Sequence, residues 1–121
     1  MKRLPILSGA LIVALLVLAA PVAYAQDVKV KVVSVTSPIT AGSKATLTVQ
    51  TDPNARCTPQ VQYRSGTGRA KGLSRKTADD QGMVSWTWLV SSATMRGTWP
   101  IHVRCTSQGQ QGMVDTSITV R

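Results

Sequence analysis

From Val28 onward the large apolar side chains fall on every second residue, a period of two that only extended strands display. Ala45, Leu47, Val49 and Thr51 share one parity, while Lys44, Thr46, Thr48 and Gln50 take the other. Val84, Trp86, Trp88 and Val90 stand against Met83, Ser85, Thr87 and Leu89. Trp99, Ile101, Val103 and Cys105 oppose Thr98, Pro100, His102 and Arg104, and Val114, Thr116, Ile118 and Val120 oppose Met113, Asp115, Ser117 and Thr119. Successive side chains on a strand face opposite sides of the sheet, so each run buries one face and wets the other. Turn-forming residues separate the runs: Ala41-Gly42, Asp52-Pro53-Asn54 and Asp79-Asp80-Gln81-Gly82. This rhythm predicts an all-β fold of about seven strands, most simply a two-sheet antiparallel sandwich, with a closed barrel as the alternative.

Local irregularities refine the expectation. Val28, Val30 and Val32 alternate with Lys29 and Lys31, but the phase flips at Val33 and Val35, which predicts a bulge or a sheet switch near Val32-Val33. Proline cannot donate to a ladder, so Ser37-Pro38 should end that run and Pro100 should lie at an edge or bulge. A further strand is expected from about Gln60 to Arg64, on the parity of Cys57, Pro59, Val61 and Tyr63. Ser65-Gly66-Thr67-Gly68 reads as irregular, and Arg69 to Lys76 as a basic loop anchored by Leu73.

The N-terminus obeys different rules. Lys2 and Arg3 precede an apolar run from Leu4 to Ala20, Pro21 breaks its helix, and Ala23-Tyr24-Ala25 places small residues where a signal peptidase reads. Residues 1–25 therefore read as a helical signal peptide, and residues 26–121 as one domain of 96 out of 121 residues. Retained, the same run would be an anchor of about minimum length, since a span needs roughly 20 apolar residues; a membrane is expected to be touched in no other way. The leader holds two of the 14 Lys+Arg residues and none of the five Asp+Glu, which leaves the domain at a formal +7.

Export gives the two cysteines their meaning. Outside the reducing cytoplasm, Cys57 and Cys105 read as one disulfide. Both lie on interior-facing parities, and the bridge would close a loop of about 49 residues. The alternative is a redox-active pair, which ordinarily has its thiols two residues apart.

The runs Asp52-Pro53-Asn54-Ala55-Arg56-Cys57, Val61-Gln62-Tyr63-Arg64-Ser65-Gly66, Gly72-Leu73, Asp80-Gln81-Gly82, Val84-Ser85-Trp86-Thr87-Trp88, Gly97-Thr98-Trp99-Pro100-Ile101 and Val103-Arg104-Cys105 together resemble a bacterial secreted immunoglobulin-like module. The resemblance covers most of Ala41 to Val120. It implies an immunoglobulin-like sandwich with one disulfide and a binding or spacer role. One departure stands out: the first cysteine follows the Pro53-Asn54 turn, so the bridge is expected to pin a loop to a strand rather than cross the centre of the core.

Little chemistry is on offer. His102 is the single histidine and has outward parity; joined to Asp115 and a serine it could imitate a hydrolase triad, but no nucleophile elbow accompanies it. Zinc would lack ligands, Asp79-Asp80 makes a weak calcium fragment against a better reading as turn caps, and the chain contains no glutamate. No catalytic residue, metal ligand or cofactor is assigned. Trp86, Trp88 and Trp99 share parity with core valines, so packing is favoured over a sugar platform, with Trp99 the one expected to be partly exposed. Against the plainer reading of a solvated loop whose charge serves solubility, the positive candidate is a set of cations for anion binding: Arg64, Arg69, Lys71, Arg75 and Lys76. Nucleic acid is not favoured, because no stacking aromatics interleave with them. The expected function is an exported, non-catalytic module for adhesion or scaffolding at or outside the cell surface, extracellular or periplasmic. The alternatives are capture of an acidic polymer by that loop and enzyme inhibition. N-terminal sequencing of exported protein should read from Gln26; material that begins at Met1 in a membrane fraction would identify an anchor.

Overall fold

Residues 28–121 are described by a computed structural model, and the leader with its cleavage site lies outside them. Eight strands follow in order: β1 (Val30–Val35), β2 (Lys44–Thr51), β3 (Arg56–Tyr63), β4 (Gly66–Thr67), β5 (Lys76–Thr77), β6 (Met83–Leu89), β7 (Gly97–Ser107) and β8 (Gln110–Val120). One sheet has the order β1-β2-β6; the other has β4-β3-β7-β8, with β5 also on β3, and all named strand pairs are antiparallel. This is the order of an immunoglobulin-like sandwich, in which the first, second and fifth major strands form one layer and the third, sixth and seventh the other. Of the eight, the two-residue β4 and β5 are those the period-two pattern is too short to reveal.

The alternating parities meet in the core. Ala45, Leu47 and Val49 of β2 and Trp86 and Trp88 of β6 are buried from one sheet, and Val61, Ile101, Val103 and Ile118 from the other. The phase flip in β1 is a bulge: Val32 pairs with Val49 and Ser34 with Thr48, so Val33 has no partner and is 49% exposed. The sheet switch comes later. After Ser37-Pro38 the chain crosses to the other layer, where Ile39 bridges Val120 in parallel and its N–H donates to the Thr119 carbonyl at 2.8 Å.

Cys57 and Cys105 are bonded, with a Cα–Cα distance of 4.0 Å and directly opposed positions on β3 and β7. The staple therefore joins two neighbours within one sheet. It neither pins a loop nor crosses between layers, because β3 begins at Arg56, earlier than the Gln60 the sequence suggests. Within Ser65-Gly66-Thr67-Gly68, where the sequence suggests no regular structure, Gly66 and Thr67 form a short strand, Tyr63 pairing with Gly66 and Gln62 with Thr67 across the two-residue turn Arg64-Ser65.

Both strand prolines obey the ladder rule. The close Cα approach marks Cys57–Cys105 as a non-hydrogen-bonded pair, so the odd-numbered residues of β3 turn their backbone groups away from β7. Pro59 thus aims its missing N–H at the stretch of β3 edge between β5 and β4, which nothing pairs. Pro100 aims toward β3 beyond the last β3–β7 pair, Val61 with Ile101.

At the Asp79–Gly82 turn, Asp79 Oδ1 accepts the backbone N–H groups of Gln81 and Met83, both at 2.9 Å, as the capping reading expects. Gly82 has φ +79°, and a Cβ there would come within 1.9 Å of the Thr51 carbonyl.

Replacing Cys57 and Cys105 together by alanine should lower the unfolding free energy by about 4 kcal/mol on the loop-entropy model. Guanidinium denaturation followed by circular dichroism measures the loss, and an unchanged midpoint would contradict it.

Candidate functional site

The β3–β4 turn and the two long loops after it and after β6 lie at one end of the sandwich. Their positions follow from the buried indoles. Trp86 Nε1 donates to the Ser74 carbonyl at 2.8 Å, and Trp88 Nε1 to the Tyr63 hydroxyl at 3.1 Å. A buried indole N–H requires such an acceptor. The first bond draws the segment after β4 onto β6, where Ala70 and Leu73 pack against the core. Gly72 permits this approach: with φ +93°, it lies so close that a Cβ would come within 2.0 Å of the Thr87 carbonyl. The second bond fixes Tyr63 at the end of β3.

Opposite Tyr63 stands the loop Ser91 to Arg96. Ser91 organises it, its carbonyl accepting the Thr94 N–H at 2.9 Å and its hydroxyl the Ala93 N–H at 3.1 Å. The Met95 carbonyl accepts Trp99 Nε1 at 2.9 Å. Arg64, at the tip of the β3–β4 turn, reaches across so that Nη1 lies 3.8 Å from Met95 Sδ. A cleft of about 650 Å³ opens between these walls, with Tyr63, Leu89 and Met95 among its apolar lining and Arg64 and Arg69 at its rim. Leu89 and Met95 are 52% and 53% exposed. A second depression of about 560 Å³ shares Ala70, Leu89 and Ser91 with the first and brings Lys71 beside Lys44.

The five cations singled out in the sequence are thereby divided. Arg64 and Arg69 share the first depression, and Lys71 lines the second. Lys76 lies on β5, and its Nζ donates to the Ser85 carbonyl at 2.7 Å, at the edge of β6. Arg75 lines neither depression. Lys44 joins the group from a distant part of the chain, and no pattern in the sequence links it to Lys71. Leu89 did carry a signal, as one of two large apolar residues, with Met83, on the outward parity of β6.

Among the described residues no carboxylate lines either depression. The single contact within 4.0 Å between a basic and an acidic side chain among the described residues is His102–Asp115, so none of the described carboxylates pairs with Arg64, Arg69, Lys71 or Lys44.

His102 faces outward from β7 as its parity requires, and its Nδ1 lies 2.7 Å from Asp115 Oδ1 on β8. No serine hydroxyl hydrogen-bonds to the ring among the described residues. The described residues contain no group of three His, Cys, Asp or Glu side chains able to share a metal ion. Trp86 and Trp88 are buried at 0% and 1%, while Trp99 is half-buried.

No family model matches the chain, and no curated protein does. Among solved structures, it is similar to a mutant titin–obscurin-like 1 immunoglobulin complex, with 14% identity over 76% of this chain and 92% of that one, and a TM-score of 0.45. A family 123 glycoside hydrolase from Clostridium perfringens overlaps 78% of this chain and 27% of its own, with 8% identity and a TM-score of 0.43. These overlaps are loose, and the immunoglobulin-like assignment stands on the strand order and register given above.

Tyr63→Phe removes the acceptor for Trp88 while keeping the ring. It should cost about 1–3 kcal/mol, the penalty for an unsatisfied buried donor. Thermal melting should register this as a fall of about 4 °C or more; an unchanged midpoint would mean that the indole finds another partner.

Proposed function

We propose that this chain is an exported, non-catalytic binding module, acting at or outside the cell surface and holding an acidic partner against the loop end of its sandwich. One observation carries the reading. Arg64 and Arg69 line the cleft, Lys71 and Lys44 line the depression that adjoins it at Leu89, and among the described residues no carboxylate lines either one or pairs with any of the four cations. Cations left unneutralised around a concave surface focus a positive potential and raise the local concentration of anions. Loops held by a rigid sandwich commonly serve as binding surfaces. Export is supported by the leader in the sequence, and the buried disulfide is compatible with an oxidising compartment. Adhesion or scaffolding fits this surface, and the basic-loop reading is proposed here in a smaller form centred on Arg64, Arg69, Lys71 and Lys44.

Retention on immobilised heparin tests the electrostatic part. The protein should bind at low salt and elute as salt shortens the screening length. The double variant Arg64→Ala, Arg69→Ala should elute at clearly lower salt, while its thermal midpoint stays near that of the wild type, because exposed substitutions usually change stability by less than about 0.5 kcal/mol. Elution of both proteins together would remove the cleft from the reading.

A further inference from the structure

We infer that the ligand of this cleft is an extended acidic peptide segment with aliphatic side chains, rather than an anionic polysaccharide. The inference rests on the reading of the loop end as a site for an acidic partner and adds the class of that partner. The cleft floor supplies the first reason. Sugar chains are gripped by exposed aromatic faces, and here no tryptophan lines the cleft, since Trp86 and Trp88 are buried, while the one aromatic that does, Tyr63, is partly buried, with its ring packed against Gly68 and its hydroxyl accepting Trp88. Trp99 is half-buried, with its N–H taken by the Met95 carbonyl. What the lining offers most openly is apolar and non-aromatic, Leu89 and Met95, each about half exposed at 52% and 53%. A leucine-like side chain gains from covering such a surface, and an unbranched methionine adapts its shape to whatever lands on it.

The layout of charge supplies the second reason. The two depressions meet at Leu89, with Arg64 and Arg69 on one side and Lys71 and Lys44 on the other. An extended chain sends alternate side chains to opposite sides. A segment alternating acidic and aliphatic residues can therefore set its aliphatic groups on Leu89 and Met95 while its carboxylates meet the cationic rim. A uniformly anionic sugar chain satisfies the rim and leaves the floor wet.

Fluorescence anisotropy with the full chain tests this. The probes are a short labelled peptide alternating glutamate and leucine, the same peptide with serine for leucine, the same with glutamine for glutamate, and a heparin oligosaccharide. The glutamate–leucine peptide should bind about tenfold tighter than any other probe, because each aliphatic group buried contributes a factor of that order. Leu89→Ser and Met95→Ser should each weaken it by a similar factor with the thermal midpoint held, and Arg64→Ala with Arg69→Ala should weaken it and flatten its salt dependence. If heparin binds as tightly as the glutamate–leucine peptide and is lost in the arginine double variant, the acidic-partner reading stands and the peptide inference falls. Peptide affinity indifferent to Leu89→Ser and Met95→Ser also overturns the inference. If no anionic probe shows salt-sensitive binding, both fall together.

Discussion

The indole N–H groups of Trp86 and Trp88 lie in the interior, where a donor without an acceptor costs about 1–3 kcal/mol. Each finds its acceptor outside its own sheet pairing, one in the Ser74 carbonyl and the other in the Tyr63 hydroxyl. Those two bonds do more than satisfy donors. They bind the segment after β4 and the end of β3 to the core, and so set the positions of Arg64, Arg69 and Lys71. The cationic rim is thus placed from the inside: core packing holds the indoles, the indoles hold the loop backbone, and the backbone presents the charges.

The disulfide plays a more local part. By joining Cys57 to Cys105 directly across β3 and β7 it reinforces one sheet, and the two layers are held to each other by side-chain packing. Its position also explains how two prolines fit in paired strands. Once that pair is of the non-hydrogen-bonded kind, Pro59 and Pro100 both point their N–H-less nitrogens at unpaired stretches of edge. Edge protection of this sort recurs on β1, where the bulge at Val33 interrupts the ladder and Lys31 adds a charge.

A loop end lined by apolar side chains and by cations with no acidic partner among the described residues is costly to leave bare in a small domain. Exposed apolar surface invites association, and like charges held together repel. Both costs fall when an acidic, partly aliphatic partner covers the surface, which gives one physical account of why the two features coincide. The His102–Asp115 pair sits apart from this region, on the outer face of the β3-β7-β8 sheet, and nothing in its geometry links it to the cleft.

Alternation along the chain was enough to identify an all-β sandwich, the inward faces of β2, β6, β7 and β8, the bulge near Val33 and the capping role of Asp79, because each is set by residues adjacent in sequence. Elements spanning no more than one period escaped it, as the two-residue β4 and β5 did. The start of β3 and the nature of the staple escaped it too, since the pairing of Cys57 with its neighbour depends on register between strands far apart in the chain. The candidate site was legible only in fragments. A run of basic residues is visible in the sequence, but tertiary structure alone separated Lys76 and Arg75 from it, added Lys44, and set Leu89 and Met95 in one cleft with the arginines. Local sequence fixes which face a side chain occupies; which faces meet is decided by how the layers pack and where two buried indoles find their acceptors.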